Sequence, residues 1–362
     1  MYEQTSYDII IIGGGPIGLE LAIALKRLGH DYLLLEANQI GHAFTTWPPH
    51  TYFFSTPEHV ALGGVPVHNL DQRSVSGEQY LAYLRTLVEM FDLRVRPYEP
   101  VRCIERQTSG FVVETERRGH RQQYQAGQVV LATGGMARPR RLNIPGEDLP
   151  HVRHYFPGPH PYFRTRLLVV GGRNSALEAA LRCWRGGANV TISYRRPDFD
   201  FDRVKPHLAM DIGDRLDKGE IRFLPATVPV AITAETVTLA YTDEALAANG
   251  AQERQVQVPA DFVLFCIGFE ADMGLFRQAG VTLLGEAQVP HFDPQTMETN
   301  VPGLYVAGTA AGGTQSKFTY FIATCHDHVE KVVQAITGQS AGPLGTVTAR
   351  NNAVAWQEVK AN

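Results

Sequence analysis

No two of the four cysteines, Cys103, Cys183, Cys266 and Cys325, lie close in sequence, and no C-x-x-C occurs in the 362 residues. That absence excludes a sequence-local dithiol redox pair and a zinc ribbon, and no other metal-ligand spacing stands out. There is no basic block either. Lys and Arg number 33 against 37 Asp and Glu, a formal charge of −4, so the electrostatic footprint of a nucleic-acid binder is missing. Long unbroken apolar runs are missing as well: the stretch from Ile9 to Leu25 is interrupted by Glu20 and by Gly13–Gly15, which makes it a poor bilayer span. Residues 1–8 carry acids and no Lys or Arg, unlike the basic start of a secretory signal. These absences predict a cytoplasmic protein with reduced thiols, acting on small molecules or proteins, with no membrane and no nucleic acid among its partners. Gly (34) and Pro (22) are too few for a low-complexity chain, and 44% hydrophobic residues suffice for two or three domains with cores of their own.

What is present reads as α/β. Tyr7–Ile12 is an apolar strand, a glycine turn follows, Ile17 to Leu28 has helical periodicity closed by Gly29, and Asp31–Leu35 is a second strand. This is one βαβ unit, and the same grammar recurs later: strand Arg166–Val170, turn Gly171–Ala176, helix Leu177–Arg185, strand Asn189–Tyr194. Between them, Glu78–Phe91 reads as an amphipathic helix, while Val101–Glu116 and Gln122–Thr133 supply further strands. Ala137–His160, dense in Pro, His and Arg, marks a crossover, and a second crossover falls around Gly268–Pro290. A strand over Thr299–Gly308 and a helix from Thr319 to Thr337 follow.

Each turn carries chemistry. In Gly13-Gly14-Gly15-Pro16-Ile17-Gly18, Gly13 permits the tight turn, Gly15 lets a pyrophosphate approach the backbone, and Gly18 lets helix pack on strand. The helix N-terminus holds the anion, and Glu36, at the end of the second strand, is placed to accept from a ribose diol. The second turn, Gly171-Gly172-Arg173-Asn174-Ser175-Ala176, keeps the first glycine but has Arg173 at the place of the second, with Ala176 acceptable at the third. The strand after it ends in Arg195-Arg196, with Lys205 nearby, instead of an acid; guanidinium groups there suit a 2′-phosphate and so NADPH. Asp198, Asp200 and Asp202 offer the alternative that these arginines are paired internally. Two dinucleotide sites in one chain suggest a resident FAD and a visiting NADPH.

Longer segments resemble one family. Leu131-Ala132-Thr133-Gly134-Gly135, Phe265-Cys266-Ile267-Gly268 and Thr299–Gly308 have the form of flavoprotein disulfide reductase motifs. Trp47–Ser55, Ile144–Pro150, His154-Tyr155-Phe156, Gly171–Ala176 and Met297–Val301 together make the chain similar, from about Tyr7 to Thr337, to the bacillithiol disulfide reductases. The resemblance implies a thioredoxin-reductase-like fold of two Rossmann-like dinucleotide-binding domains without C-x-x-C. The FAD domain (1–150 and 285–342) would be interrupted by the NADPH domain (151–284), with 343–362 a flexible tail. It implies flavin contacts from Gly13, Gly15, Pro16, Ile17, Gly18, Glu36, Trp47, His50, Phe54, Val101, Thr133, Gly134 and Gly308. For NADPH it implies Gly171, Gly172, Arg173, Asn174, Ser175, Ala176, Arg195, Arg196, Lys205 and Gly268. The implied activity is NADPH-dependent reduction of a low-molecular-weight thiol disulfide by a homodimer or homotetramer.

Two departures matter. The family's usual Asp after the late glycine is Thr309, and the cysteine its members carry within the first glycine motif is Ile17. Isoleucine cannot attack a disulfide, which leaves Cys325 as the one substitute thiol, with His328 three residues on along the same helical face as the group that would lower its pKa, against the alternative that Cys325 is a small buried helix residue with no chemical role. Otherwise electrons pass from FAD to the acceptor directly. Three further readings stay open: a flavin monooxygenase or NADPH oxidase, although no F-x-G-x-x-x-H-x-x-x-F/Y segment occurs; a ferredoxin or flavodoxin reductase, although no basic docking patch is visible; and a nucleotide-binding redox sensor.

Overall fold

The computed structural model describes residues 5–70, 73–242, 254–315 and 319–345. They form two compact units. The first comprises residues up to Thr46, His50–Arg138 and the chain from Glu270 onward; the second comprises Trp47–Pro49 and Pro139–Phe269.

The first unit is organised by a seven-stranded sheet. Its order is Val95–Arg96, Tyr32–Leu35, Ser6–Ile12, His120–Leu131, Phe111–Arg117, Val101–Arg106. Ile9–Ile12, Leu33–Leu35 and Val129–Leu131 are buried, as parallel strands covered on both faces must be. The helix Pro16–Leu28 covers one face, starting with Pro at N1 and ending at Gly29 in the left-handed conformation. His120–Leu131 is long enough to serve two partners. Its first half pairs antiparallel with Phe111–Arg117, and its last three residues pair in parallel with Leu304–Val306. A late piece of chain thus returns to the first sheet, and Ala307 N–H donates to Leu131 O (3.0 Å) to set the register. The regular part of the expected strand Thr299–Gly308 is this short.

The second unit has a five-stranded parallel sheet in the order Arg222–Leu224, Asn189–Ser193, Arg166–Val170, Phe262–Phe265, Val152–Arg153, plus a three-stranded antiparallel sheet formed by Thr227–Ile232, Thr236–Tyr241 and Gln255–Pro259. Leu167, Val169, Val190 and Ile192 meet Leu177, Ala180 and Leu181 of the helix Asn174–Arg185; Leu168, Val170 and Val263 meet Val237, Leu239 and Val258. This unit begins and ends sooner than residues 151 and 284. Ile144, Leu149 and Val152 pack on its core, and Gly146 lies so close to Ile232 that a Cβ would meet the Ile232 carbonyl at 2.0 Å. After Phe269 the chain already belongs to the first unit, where Ala271 N–H donates to Thr314 Oγ1 (3.0 Å).

Two other expectations change. The late helix runs Ile322–Thr337 because Gln315 Oε1 accepts from Thr319 N and Tyr320 N, and Thr324 Oγ1 accepts from Phe321 N. The proposed tail cannot start at 343: Pro343 O accepts from Arg27, Gly345 N–H donates to Glu20 Oε1 (2.7 Å), and Gly64 N–H donates to Gly345 O (2.7 Å). The rest of that tail, 346–362, lies outside the described residues. Among the described residues no helix is long and apolar enough to cross a membrane.

Candidate functional site

Three glycines of the first turn are required for different reasons. Gly13 has φ +115°, and a Cβ there would sit 2.4 Å from Ala132 O, where the first strand's end meets the loop after Leu131. At Gly18 a Cβ would lie 1.9 Å from Gly13 O, so helix and turn pack backbone to backbone. Gly15 differs, since nothing stands within 4 Å of the Cβ it lacks. It is the N-cap of the helix Pro16–Leu28, and no side chain caps that end, which leaves room beside Gly15 of the kind a pyrophosphate needs.

Glu36 closes one end of this cradle. Its Oε2 accepts from Gly14 N (2.6 Å) and its Oε1 from Asn38 N (2.8 Å), while Glu99 N–H donates to Glu36 O (2.9 Å) and draws the segment leading to Val101 alongside. At the other end, the Thr133 hydroxyl is buried with no hydrogen-bond partner, and Gly134 has φ +79°. Thr309 stands at the position of the missing Asp and is half-buried. Its Oγ1 accepts from Gly135 N (2.9 Å) and ties the late strand's loop to the Thr133-Gly134 loop. Gly308 (φ +77°) presses on Ile17, whose Cβ lies 3.3 Å from where a Gly308 Cβ would be. Open space at Gly15, an uncapped helix end, an acid at the second strand and an orphaned buried hydroxyl together fit an FAD.

Of the remaining candidates of this set, His50 has φ +59° and donates its N–H to Glu78 Oε1 (3.0 Å), Phe54 is 61% exposed, and Trp47 groups with the second unit.

The substitute thiol is not prepared for attack. Cys325 is fully buried, burial pushes its thiol up to about 12, and the buried Glu20 carboxylate pushes in the same direction. His328 is also buried, and burial pushes its imidazole down to about 4, so it is neutral at pH 7 and supplies no charge to a thiolate. Its ring meets Tyr320 edge-on at 5.0 Å and hydrogen-bonds the Gly308 backbone, while Nδ1 has no partner. All four cysteines are free. Burial pushes Cys183 and Cys266 up to about 12 too, and Cys103 is raised by burial and by Glu105. Among the described residues no group of three or more His, Cys, Asp or Glu is placed to hold a metal.

In the second unit the turn is again dictated by packing. Gly171 (φ +139°) lies where a Cβ would meet Cys266 O at 2.5 Å and Ala176 Cβ at 3.1 Å; at Gly172 a Cβ would strike the Tyr194 ring at 2.5 Å. Arg173 is the N-cap of the helix Asn174–Arg185, with no side-chain cap. Gly171 and Gly268 (φ +97°) follow the adjacent strands Arg166–Val170 and Phe262–Phe265, where the sheet's connections diverge, which is where open α/β sheets bind nucleotides. Lys205 N–H donates to Asn174 Oδ1 (2.9 Å), tying the following loop to the turn. Arg195 is exposed, whereas Arg196 is paired with Asp200 (3.5 Å). The uncapped helix end and the exposed Arg195 fit a phosphorylated dinucleotide. Sequence reasoning named Asp200 only as an acid able to pair the arginines, and missed Arg203, which the fold brings to the same carboxylate (3.2 Å).

Residues 10–308 match the family described as pyridine nucleotide-disulphide oxidoreductase. The chain is 34% identical over 308 residues to bacilliredoxin reductase Bdr of Bacillus subtilis (strain 168), covering 85% of this chain and 90% of that one. Its fold superposes on bacillithiol disulfide reductase Bdr (YpdA) from Bacillus cereus with a TM-score of 0.84 at 32% identity, covering 91% of this chain and 98% of the other. A thioredoxin reductase from T. acidophilum shares the fold at 19% identity, with a TM-score of 0.67 over 92% of this chain and 97% of that one.

Proposed function

Since the chain belongs to the pyridine nucleotide-disulphide oxidoreductase family, and within it to the group of the Bdr reductases, we propose that it reduces the disulfide of a low-molecular-weight thiol such as bacillithiol disulfide. It is an oxidoreductase, and FAD and NADPH are its cofactors. The observation that carries the proposal is the pair of separately built dinucleotide turns, Gly13–Gly18 and Gly171–Ala176, in a chain whose four thiols are all held protonated.

Gly13, Gly15, Pro16 and Gly18 would hold the FAD pyrophosphate, Glu36 its ribose, and Thr133, Gly134 and Gly308 the far side of the same cradle. Gly171–Ala176 would hold the NADPH pyrophosphate, with Arg195, Arg196 and Lys205 near its adenosine ribose and Gly268 on the adjacent loop. Bound there, FAD supplies the redox centre through which two electrons from NADPH reach a disulfide. The chain's residues would bind and orient: helix Pro16–Leu28 would present its uncapped N–H groups to an anion, and Ile17 packs a hydrocarbon side chain against Gly308. A disulfide would then be reduced without a protein mixed disulfide at residue 17.

The site assignment is tested by titrating the FAD-loaded protein anaerobically with NADPH and with NADH. Bleaching of the flavin absorbance should be at least tenfold more efficient with NADPH, and equal efficiency would overturn the role of Arg195 and Arg196. The proposal includes a reducing, cytoplasmic setting, in accord with four unpaired cysteines, and a homodimer or homotetramer, to be checked by light scattering.

A further inference from the structure

The strand Asn189–Ser193 runs into a turn whose shape is fixed by aromatic packing. Tyr194 lies under Gly172 and stacks on Phe199 (ring centroids 5.7 Å apart, 14° between planes), and Phe199 stacks on Phe223 (4.4 Å, 28°). Asn174, the first residue of the helix after the glycine turn, ties down the far side: its Oδ1 accepts from Lys205 N (2.9 Å) and its Nδ2 donates to Arg203 O (3.4 Å). Residues 194–205 are therefore clamped to the glycine turn at both ends.

Within that clamped turn, one carboxylate oxygen, Asp200 Oδ2, faces two guanidinium groups. Arg196 Nη1 is 3.5 Å away and Arg203 Nε 3.2 Å away. Charge-assisted N–H···O bonds ordinarily close to about 2.7–2.9 Å and use both oxygens of the acceptor. These contacts are long, share one oxygen, and involve side chains that are 43% and 53% exposed for the arginines and 28% for the acid. Two arginines around one loosely held anion beside a dinucleotide turn is the arrangement a 2′-phosphate would complete, with two further charges and three acceptor oxygens in place of one.

We propose that Asp200 is an internal stand-in for the 2′-phosphate of NADPH, holding Arg196 and Arg203 gathered in the free protein and yielding them to the phosphate on binding. Arg203 thereby joins Arg195 and Arg196 as a selectivity residue. Asp200 sets how strongly the enzyme prefers NADPH, because the phosphate must displace a carboxylate before it gains the two guanidinium groups. The inference rests on reading Gly171–Ala176 as the NADPH site.

The test measures dissociation constants of NADP+ and NAD+ on FAD-loaded wild-type protein, Asp200→Asn, Arg203→Gln and Arg195→Ala/Arg196→Ala. With exposed ion pairs each worth a few tenths of a kcal/mol to one, Asp200→Asn should tighten NADP+ by about threefold to tenfold and raise the NADP+/NAD+ preference by the same factor. Arg203→Gln should weaken NADP+ by a similar factor and leave NAD+ within about twofold. A preference unchanged or lowered in Asp200→Asn overturns the stand-in, as does an Arg203→Gln protein with wild-type preference. If Arg195→Ala/Arg196→Ala keeps full discrimination, the nucleotide site itself is misplaced. If that variant loses discrimination while Asp200→Asn does not change it, only the role of Asp200 falls.

Discussion

The same substitution at two glycines of the first turn should have opposite consequences. At Gly18 a methyl group would lie 1.9 Å from Gly13 O, a backbone atom that cannot rotate away, and 3.5 Å from Ala132 Cβ. Relief requires the helix to lift by more than 1 Å from the strand, which undoes packing around the fully buried Leu19, Leu21 and Ala22. Overpacking of this kind costs about 3 kcal/mol or more. At Gly15 the backbone is extended (φ −76°, ψ −178°), open to any residue, and the methyl meets nothing within 4 Å. Gly15→Ala should then cost the fold no more than about 1 kcal/mol, the difference between Gly and Ala as an N-cap. That methyl would nevertheless stand where the pyrophosphate approaches, and FAD affinity should fall by about a hundredfold, a few kcal/mol of clash and lost backbone hydrogen bonds. The assay is chemical denaturation of flavin-stripped protein, which removes the stabilisation contributed by bound ligand, together with flavin retention measured by absorbance after gel filtration. A Gly15→Ala protein that retains FAD like wild type would refute the cradle, and a Gly18→Ala apoprotein of wild-type stability would refute the packing argument.

Cys325→Ala should keep disulfide turnover within about twofold, since a thiol at about 12 stays protonated throughout the working pH range; a hundredfold loss in steady-state rate would restore it as nucleophile. Glu20→Ala leaves the buried Gly63 and Gly345 N–H groups and His326 Nδ1 without their shared carboxylate, and should destabilise the flavin-stripped protein by about 2–4 kcal/mol in urea unfolding. His328, depressed to about 4 in the folded state against 6.5 unfolded, makes the unfolded chain bind more protons between those values. Its contribution is therefore complete above pH 6.5 and is lost as pH falls toward 4. Discounted for solvent screening, the loss should be about 1–2 kcal/mol, and His328→Gln should flatten that part of the stability–pH curve.

Much of this architecture was legible because it rests on short-range rules. Gly13, Gly18 and Gly171 announce backbone approaches that only glycine permits, and the first and second βαβ units appear within a residue or two of their expected places, apart from an earlier start to the second helix. What sequence order hid depends on long-range partners. The second unit starts at Pro139 because Ile144 and Leu149 find its core, which composition could mark only as a crossover. Thr309 is legible in sequence as a departure from the expected Asp, but its hydrogen bond from Gly135 N, 174 residues away, is not. Cys325 shares a helical face with His328, yet helical spacing carries no information about the Glu20 carboxylate beside it or the burial of both. Arg203 lies only three residues from Asp200, but spacing alone does not say which of Asp198, Asp200 and Asp202 meets which arginine, and the hydrogen bond from Asn174 that holds Arg203 O comes from 29 residues away.

The central claim is that electrons from NADPH reach a small disulfide through a flavin held by this chain, with no cysteine of its own taking part. The direct measurement is anaerobic oxidation of NADPH by FAD-loaded protein with bacillithiol disulfide as sole acceptor, counting thiols released, in wild type and in a variant with all four cysteines replaced by alanine. The account predicts two thiols per NADPH consumed in both proteins, at rates within a few fold of each other. NADPH consumption that requires oxygen or a ferredoxin and releases no thiol would contradict it, and so would thiol release abolished in the cysteine-free variant that still binds FAD.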